Sequence, residues 1–560
     1  MAQKKEFVPK LFTLLKEGIN GKQFSRDVMS GIIVGIVALP LAIAFAIASG
    51  VSPEKGLITA VVAGFIISAF GGSRVQIGGP TGAFIIIVYG IVQQHGMSGL
   101  IIATFLAGFI LIGLGLARLG NYLKYIPYPL VVGFTSGIAL IIFSSQVNDF
   151  LGLNISNLPS DFIGKWNAYF QSAHHINLYA TALAVFSLIS TKFFSRITTK
   201  VPGSIIAIII STLAVQLFQL PVETIQSKFG DIPTQLAMPQ IPSLSFETVK
   251  SLIQPALAIA VLGAIESLLS AVVADGMIGG KHRSNIELIA QGAANIFSGL
   301  FGGIPATGAI ARTATNVKNG GRTPIAGIVH ALTLLLIMLF FAPYAKLIPL
   351  SALAGILIVI AYNMSEWRQF KSLLKSNRMD IIVLLSTFFL TVIFDLIIAI
   401  EVGLVLSSVL FMKRMSDSVQ VESLGSESDE EEMLFQDELH LSQKEVMLYE
   451  INGPLFFGAA QQFQDAVRLN RSKPKYIILR LRYVPFIDAT GYLRMKEIIR
   501  NFRLADIHVI LSGVSPQLLR DFEKNDLFSV IRKECVFNNI EQALKYLTEN
   551  SQETEGSKMA

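Results

Sequence analysis

Two charges stand inside segments otherwise built to dissolve in lipid: Glu266, in PALAIAVLGAIESLLSAVV (Pro255 to Val273), and Arg312, in FGGIPATGAIARTATN (Phe301 to Asn316). A carboxylate midway along an apolar span is costly unless paired or protonated, and it marks a pathway for ions or protons. Glu266 therefore suits a coupling-ion site, with Ser267 and Ser270 following within one turn and Thr307 as further oxygens. The alternative is a carboxylate that only ties two helices together. Arg312 offers a fixed positive charge to an anion, roughly 9 Å from a helix start at Ala306 at 1.5 Å per residue. Its alternative is an arginine snorkelling to the interface. Asp395 and Glu401 read instead as flanking a hydrated turn between the last two spans.

The stretch around Arg312 has an echo upstream, FGGSRVQIGGPTGAF (Phe70 to Phe84), with Pro, Thr and Gly-Ala following FGG in both places. Extended backbone at membrane depth is tolerated only where protein or a water-filled cavity satisfies it. If each break turns helical, at Pro80 and at Ala306, two helix N-termini face one another near the midplane. Each offers unpaired N–H donors and about half a positive charge, which together make an anion site. Pro80 suits a first helical position, Thr81 and Thr307 can cap or touch ligand, and Gly79, Gly82, Ala83, Gly308 and Ala309 admit a ligand to the backbone. Close helix packing by small residues is the other reading.

The elements that must position these residues follow from composition. The chain of 560 residues is 52% hydrophobic and 15% charged, with a mean hydropathy of +0.58, too apolar for a soluble enzyme of that length. Runs of about 17 to 25 apolar residues begin near Val28, Leu57, Leu100, Leu130, Leu178, Pro202, Leu252, Asn285, Thr323, Leu347, Ile381 and Glu401. With the two broken spans (short helices Pro80 to Gln93 and Ala306 to Val317), the twelve runs become fourteen, seven in each half, so a repeat between halves must be inverted. Lys and Arg concentrate in alternate connections, at Arg74, Arg118, Lys124, Lys192, Arg196, Lys200, Lys281, Arg283, Lys318, Arg322 and Arg368 to Arg378, which puts both termini in the cytoplasm. The net charge of +6 reflects this bias rather than a nucleic-acid surface.

Residues 1–27 read as a cytoplasmic interfacial helix whose Lys4, Lys5, Lys10, Lys16, Lys22 and Arg26 face headgroups. Residues 28–415 read as the membrane domain, with repeats over about 28–220 and 252–415, followed by an acidic linker at 416–440. A soluble α/β domain at 441–550 has strands in Glu445 to Phe457, Lys475 to Asp488 and His508 to Val514. Its helices fall at Ala459 to Asn470, Thr490 to Phe502, Pro516 to Lys524 and Ile540 to Glu549, and residues 551–560 read as a disordered tail. The lone Cys535 rules out an intrachain disulfide and reads as an inert thiol. No metal cluster, catalytic triad or phosphate-binding Gly-Lys loop stands in the sequence, and no enzymatic activity is assigned.

The paired GGPTGAF and GGIPATGAIARTATN, the first span LPLAIAFAIASGVSP (Leu39 to Pro53), the run AIESLLSAVVADGM (Ala264 to Met277) and the C-terminal domain together resemble the SulP anion transporters, bacterial relatives of the solute carrier 26 family. Among bacterial members the chain is most similar to the branch containing the C4-dicarboxylic acid transporter. The resemblance implies a mostly α membrane protein with core and gate domains, a cytoplasmic STAS domain, and a homodimer in the bacterial inner membrane. It places the anion near Pro40, Leu41 and Phe45, beside Thr81, Gly82, Ala83 and Phe84, and beside Ala309, Ile310, Ala311 and Arg312. The position of Glu266 carries the acidic residue that serves a coupled proton or sodium in relatives; no other cofactor is implied. Leu41 and Ala311 stand where some relatives have glutamine and serine, which leaves the preferred anion open among C4-dicarboxylate, sulfate and bicarbonate. FIDATG (Phe486 to Gly491) resembles a loop carrying a phosphorylatable residue, here Thr490, with a helix-capping threonine as the alternative. A cytoplasmic partner at this domain is a further expectation. The expected activity is symport of the anion with proton or sodium by elevator-like movement of the core past the gate. A nucleobase transporter also needs the carboxylate but not Arg312 or the STAS domain; an anion sensor would bind without flux.

Overall fold

The structure, a computed structural model, describes residues 6–122, 126–155, 158–159, 161–194, 202–230, 238–242, 245–394, 396–424, 445–458 and 474–556. Contacts divide the chain into two units, Met1–Val405 and Leu406–Ala560.

Every apolar run of the first unit folds as helix. The order is α1 (Lys10–Glu17), α2 (Gly21–Ala48), α3 (Pro53–Phe70), β1 (Gly78–Gly79), α4 (Ile85–Leu116), α5 (Tyr128–Leu151), α6 (Phe162–Gln171), α7 (Leu178–Phe193), α8 (Gly203–Phe218) and the short α9 (Ile225–Phe229). Then come α10 (Phe246–Ile278), α11 (Ser284–Leu300), β2 (Thr307–Gly308), α12 (Ile310–Lys318), α13 (Ile325–Ala345), α14 (Leu350–Met364), α15 (Trp367–Leu373), α16 (Arg378–Ile393) and α17 (Leu396–Asp417). Among the described residues six helices are long and apolar enough to cross a bilayer alone, and α7, α8 and Ile325–Phe341 are shorter apolar helices. Gly96, at φ 67 and ψ −173, breaks α4 into a half-helix after β1 and a full span.

The helices pack in two groups. In one, α2 and α3 pack on α13, α4 on α10 and α11, and α3 on α11, with α12, β1 and β2 enclosed against α10 and α3. In the other, α5 packs on α14 and α16, and α7 on α14 and α8. Small residues permit the closest crossings: a Cβ on Gly108 of α4 would stand 2.6 Å from the Gly292 carbonyl of α11, and one on Gly292 would stand 2.5 Å from the Gly108 carbonyl.

Several boundaries differ from the sequence expectations. The first long helix starts at Gly21, capped by Asn20, so Lys22 and Arg26 belong to it rather than to an interfacial helix. The segment before it is tied to protein: Arg283 donates to the Thr13 hydroxyl at 2.9 Å and Lys10 N–H to the Gly71 carbonyl at 3.0 Å. Lys4, Lys5, Lys124, Arg196, Lys200 and Asp395 lie outside the described residues. Glu401 does not flank a turn; it sits exposed within α17, because that helix already begins at Leu396.

In the second unit β3 (Gln420–Leu424), β4 (Val446–Asn452), β5 (Tyr476–Tyr483) and β6 (His508–Ser512) form one sheet in that order, with β3–β4 antiparallel and the other pairs parallel. Period-two alternation divides β5 between two cores. Ile477, Leu479 and Leu481 meet Tyr492, Met495 and Ile498 of α18 (Ala489–Leu504) and Leu518 and Phe522 of α19 (Pro516–Lys524). Ile478 meets Ala543, Leu544 and Leu547 of α20 (Ile540–Gly556). Part of the expected linker is thus strand β3, recruited by the open edge of β4. The expected tail is helical to Gly556, as a continuation of α20. The rest of the linker and the expected helix at 459–470 lie outside the described residues. Burial raises the Cys535 thiol's pKa, in keeping with an unreactive side chain.

Candidate functional site

Both broken stretches are held at one place in the first helix group. Gly78 pairs with Gly308 and Gly79 with Thr307, antiparallel, so each break satisfies part of the other's backbone. Gly79 adopts φ +147, and a Cβ there would stand 2.5 Å from the Arg312 guanidinium, a close approach only glycine permits.

The first break is fastened mainly by side chains from the second half. Glu287 accepts from the Gly72 and Ser73 N–H groups at 2.7 and 3.0 Å. Thr313 accepts from Ile77 N–H at 3.0 Å, Asn316 donates to the Val75 carbonyl at 2.8 Å, and Gln76 donates to the Ser267 carbonyl at 3.2 Å. The second break hangs on α3 and α11. Asn295 takes both the N–H and the C=O of Ala306, at 2.9 and 2.8 Å, while Thr59 accepts from Ile304 N–H at 2.7 Å and Ser298 donates to its carbonyl at 2.7 Å.

These fastenings move the helix starts. The chain beyond β1 stays extended through Thr81, makes a 3-10 turn at Gly82–Phe84 and becomes α-helical at Ile85, so Pro80 is not a first helical residue. The second half-helix starts at Ile310 with Ala309 as its N-cap, not at Ala306, because Asn295 and the β1–β2 pairing hold Ala306 to Gly308 extended. Thr307 does not cap it; its hydroxyl donates to the Gly263 carbonyl of α10 at 2.9 Å. The Ala309 N–H donates to the Ile77 carbonyl at 2.9 Å, while Ile310 and Ala311 open α12, where N–H groups lack partners within the helix.

Arg312 is 3% exposed and turned inward, donating to the Pro80 carbonyl, while among the described residues its Nη1 has no partner. It does not snorkel. Its side chain joins the second half-helix to the first break at the point where that break turns helical. Glu266 faces the same point from α10: its Oε2 accepts from the Thr81 hydroxyl at 3.0 Å. No ion pair links Glu266 to Arg312 among the described residues. The expected oxygens are spent elsewhere. The Ser267 hydroxyl back-bonds to the Ala264 carbonyl at 3.2 Å and Ser270 donates to Thr313 at 3.3 Å, bracing α12 rather than surrounding Glu266.

Phe45 of α2 closes on the Gly82 turn: a Cβ at Gly82 would lie 3.5 Å from its ring, 3.3 Å from Ile142 and 3.0 Å from the Met364 sulfur. Pro40 and Ala83 are buried, Leu41 half-buried, and Phe84 packs with its ring toward Gly263. Sequence reasoning missed Ile142 and Met364, which come from α5 and α14 of the other helix group and carry no distinguishing residue type. It also missed the stripe Glu287, Gln291, Asn295, Ser298 on α11. Its spacing of four, four and three puts four polar side chains on one face of an apolar helix, a signal the sequence does contain.

In the second unit the N-cap of α18 is Asp488, which accepts from Gly491 N–H at 2.7 Å and from Phe457 N–H at 3.0 Å. Thr490 is the second residue of that helix and is half-buried, so it is not the cap. A carboxylate one turn from the first N–H groups outcompetes a hydroxyl already inside the helix.

A membrane unit with two broken helices meeting over a buried arginine, joined to an α/β unit, defines a class of helical membrane proteins. Residues 24–387 match the Sulfate permease family and residues 441–543 match the STAS domain. The chain belongs to the SulP/solute carrier 26 family and carries a C-terminal STAS domain. It is 42% identical over 530 residues, 93% of this chain and 98% of the relative, to the protein named "Putative sulfate transporter YvdB" of Bacillus subtilis (strain 168). It is 31% identical over 544 residues, 94% of this chain and 95% of the relative, to the "Bicarbonate transporter BicA" of a Picosynechococcus species. In fold it is similar to the murine Solute Carrier 26 family member A9 anion transporter in the inward-facing state, with a TM-score of 0.86 at 17% identity over 98% of this chain and 95% of that one.

Proposed function

We propose that the protein is a secondary active transporter of a small oxyanion, with sulfate as its first substrate and proton or sodium as the coupled cation. The observation that carries this reading is the convergence of two helix openings, at Gly82 and Ile310, on a buried arginine whose Nη1 has no partner among the described residues. Such a place attracts an anion through unpaired N–H groups, helix dipoles and a full positive charge. The crowding of Gly82 by Phe45, Ile142 and Met364 favours a compact anion over a four-carbon dicarboxylate. The names of these relatives favour sulfate and bicarbonate.

Glu266 takes the coupled cation, so that a dianion beside Arg312 crosses the barrier with reduced net charge. The membrane part consists of fourteen spans in two inverted sevens. This is supported by the exchange of packing partners between halves: α2 on α13 answers α10 on α4, α3 on α13 answers α11 on α4, and α5 on α16 answers α14 on α7. The group holding β1 and β2 is the core that moves, and the group of α5, α7, α8, α14 and α16 is the gate, in an elevator-like cycle. The protein works as a homodimer in the bacterial plasma membrane with both termini cytoplasmic, and Thr490 and the STAS surface are available for regulation by a cytoplasmic partner.

The test is uptake of labelled sulfate into proteoliposomes with an inward proton gradient, an inward sodium gradient or neither, challenged with bicarbonate and with succinate. Gradient-driven sulfate accumulation blocked by bicarbonate but not by succinate is expected. Accumulation of succinate alone would restore the dicarboxylate reading, and binding of sulfate without flux would make the protein a sensor.

A further inference from the structure

The short helix α6, between α5 and α7, carries a lysine that the site above does not use. Lys165 is only 6% exposed, yet among the described residues its ammonium has neither a carboxylate nor a hydrogen-bond acceptor within bonding distance. The nearby Asp161 carboxylate is engaged in capping α6, where it accepts from Gly164 N–H at 2.7 Å. What holds the ammonium is a ring: Nζ lies 5.4 Å from the centroid of Tyr89, within cation–π range. Burial lowers the Lys165 pKa and Asp161 opposes that shift.

The placement is fixed on both sides. Trp166 donates to the Ser144 hydroxyl at 3.1 Å and Tyr169 to the Ser144 carbonyl at 2.8 Å, which pins α6 to α5. Tyr89 sits on the half-helix that opens at Gly82, roughly 10 Å further along at 1.5 Å per residue. Its ring lies 3.1 Å from the Cβ position of Gly50, a residue at φ +75 just beyond the end of α2. Gly50 joins α2 to the Pro53 end of α3, opposite the Gly71 end of α3 to which the N-terminal segment is bonded. Lys165 therefore stands at the seam between the two helix groups, about two turns beyond the helix opening.

We propose that Lys165 is an anion-recruiting residue at the mouth facing away from the N-terminal segment, whose unspent N–H donors bind the small oxyanion before it passes along the half-helix to Gly82. The inference rests on the chain being an anion transporter. A strongly hydrated ammonium left without a protein acceptor keeps its capacity for an anion, and a cation in a low-dielectric cleft raises the local anion concentration by about tenfold or more. The Tyr89 face stabilises the ammonium without competing for its N–H donors, which an aspartate at that position would do.

The experiment compares labelled sulfate uptake by right-side-out and inside-out membrane vesicles holding the full-length protein, at low and high ionic strength. Lys165→Met should raise KM about tenfold in right-side-out vesicles at low salt and leave it within about twofold in inside-out vesicles. It should also remove the salt dependence of KM, while kcat stays close to wild type. Lys165→Arg should restore low KM, and Tyr89→Phe, which keeps the ring, should match wild type. Lys165→Gln replaces the methionine variant if that one fails to reach the membrane. An unchanged KM, or an equal rise in both vesicle orientations, overturns the proposal. Absence of sulfate and bicarbonate uptake by the wild-type protein would overturn the transporter reading itself, so the two failures are distinguishable.

Discussion

The two breaks share a motif and a task but carry different chemistry. The first, from Gly71 to Phe84, is held by groups that come from the second half of the chain, and it ends in a hydroxyl, Thr81, that meets the Glu266 carboxylate. The second, from Phe301 to Ala309, is held by α3 and by its own neighbour α11, and the helix it opens carries the cation Arg312. A nearly symmetric scaffold thus delivers one carboxylate contact and one guanidinium to the same place, around the Pro80–Thr81 peptide, without pairing them. Had they formed an ion pair, each would have neutralised the other's use for an external ion. Held apart by a hydroxyl and a carbonyl, the guanidinium and the carboxylate do not neutralise one another.

Removing the cation should have the largest effect. Arg312→Gln deletes a buried charge that donates to Pro80, a change that costs on the order of 2 to 4 kcal/mol in comparable charge-assisted contacts and so about a hundredfold in anion affinity. Labelled sulfate uptake measures it. Arg312→Lys should recover only part, because the planar fork that reaches Pro80 is lost. Next comes the carboxylate. Glu266→Gln should abolish gradient-driven accumulation while leaving exchange of anion for anion, read as counterflow in preloaded proteoliposomes; accumulation at the wild-type level would remove Glu266 from the coupling role.

Smaller effects test the scaffold itself. Asn295→Leu orphans both the N–H and the C=O of Ala306, and Glu287→Gln weakens the hold on Gly72 and Ser73; each buried group left unsatisfied costs about 1 to 3 kcal/mol. Both should lower thermal stability in detergent without changing anion preference. If Asn295→Leu alters preference as strongly as Arg312→Gln, the division between scaffold and chemistry drawn above fails. The smallest effect is expected in the STAS unit. Asp488→Ala should loosen the first turn of α18 by about 1 kcal/mol, seen as faster hydrogen exchange in the full-length chain, whereas Thr490→Ala should change that exchange by less.

Much of this molecule was legible before folding. Apolar runs of spanning length have one stable backbone in lipid, so the positions of the helices follow from composition, and the echo of FGG, Pro, Thr and Gly-Ala located both breaks because unpaired backbone is rare in such a chain. Glu266 and Arg312 declared themselves for the same reason. The apolar stretch Lys475 to Asp488 likewise announced a strand of a small α/β domain, but not that its two faces would meet separate cores. What the sequence could not decide was direction and partnership. Whether Arg312 snorkels or turns inward depends on whether Pro80 presents a carbonyl to it. Where each half-helix starts depends on Asn295 and on a two-residue β pairing between distant parts of the chain, Gly78 with Gly308 and Gly79 with Thr307. That Thr81 reaches Glu266, while Ser267 and Ser270 brace other helices, is a matter of rotation about α10. Hydrogen bonds have direction and short reach, and a one-dimensional pattern of residue types records which groups need partners but not which partner arrives.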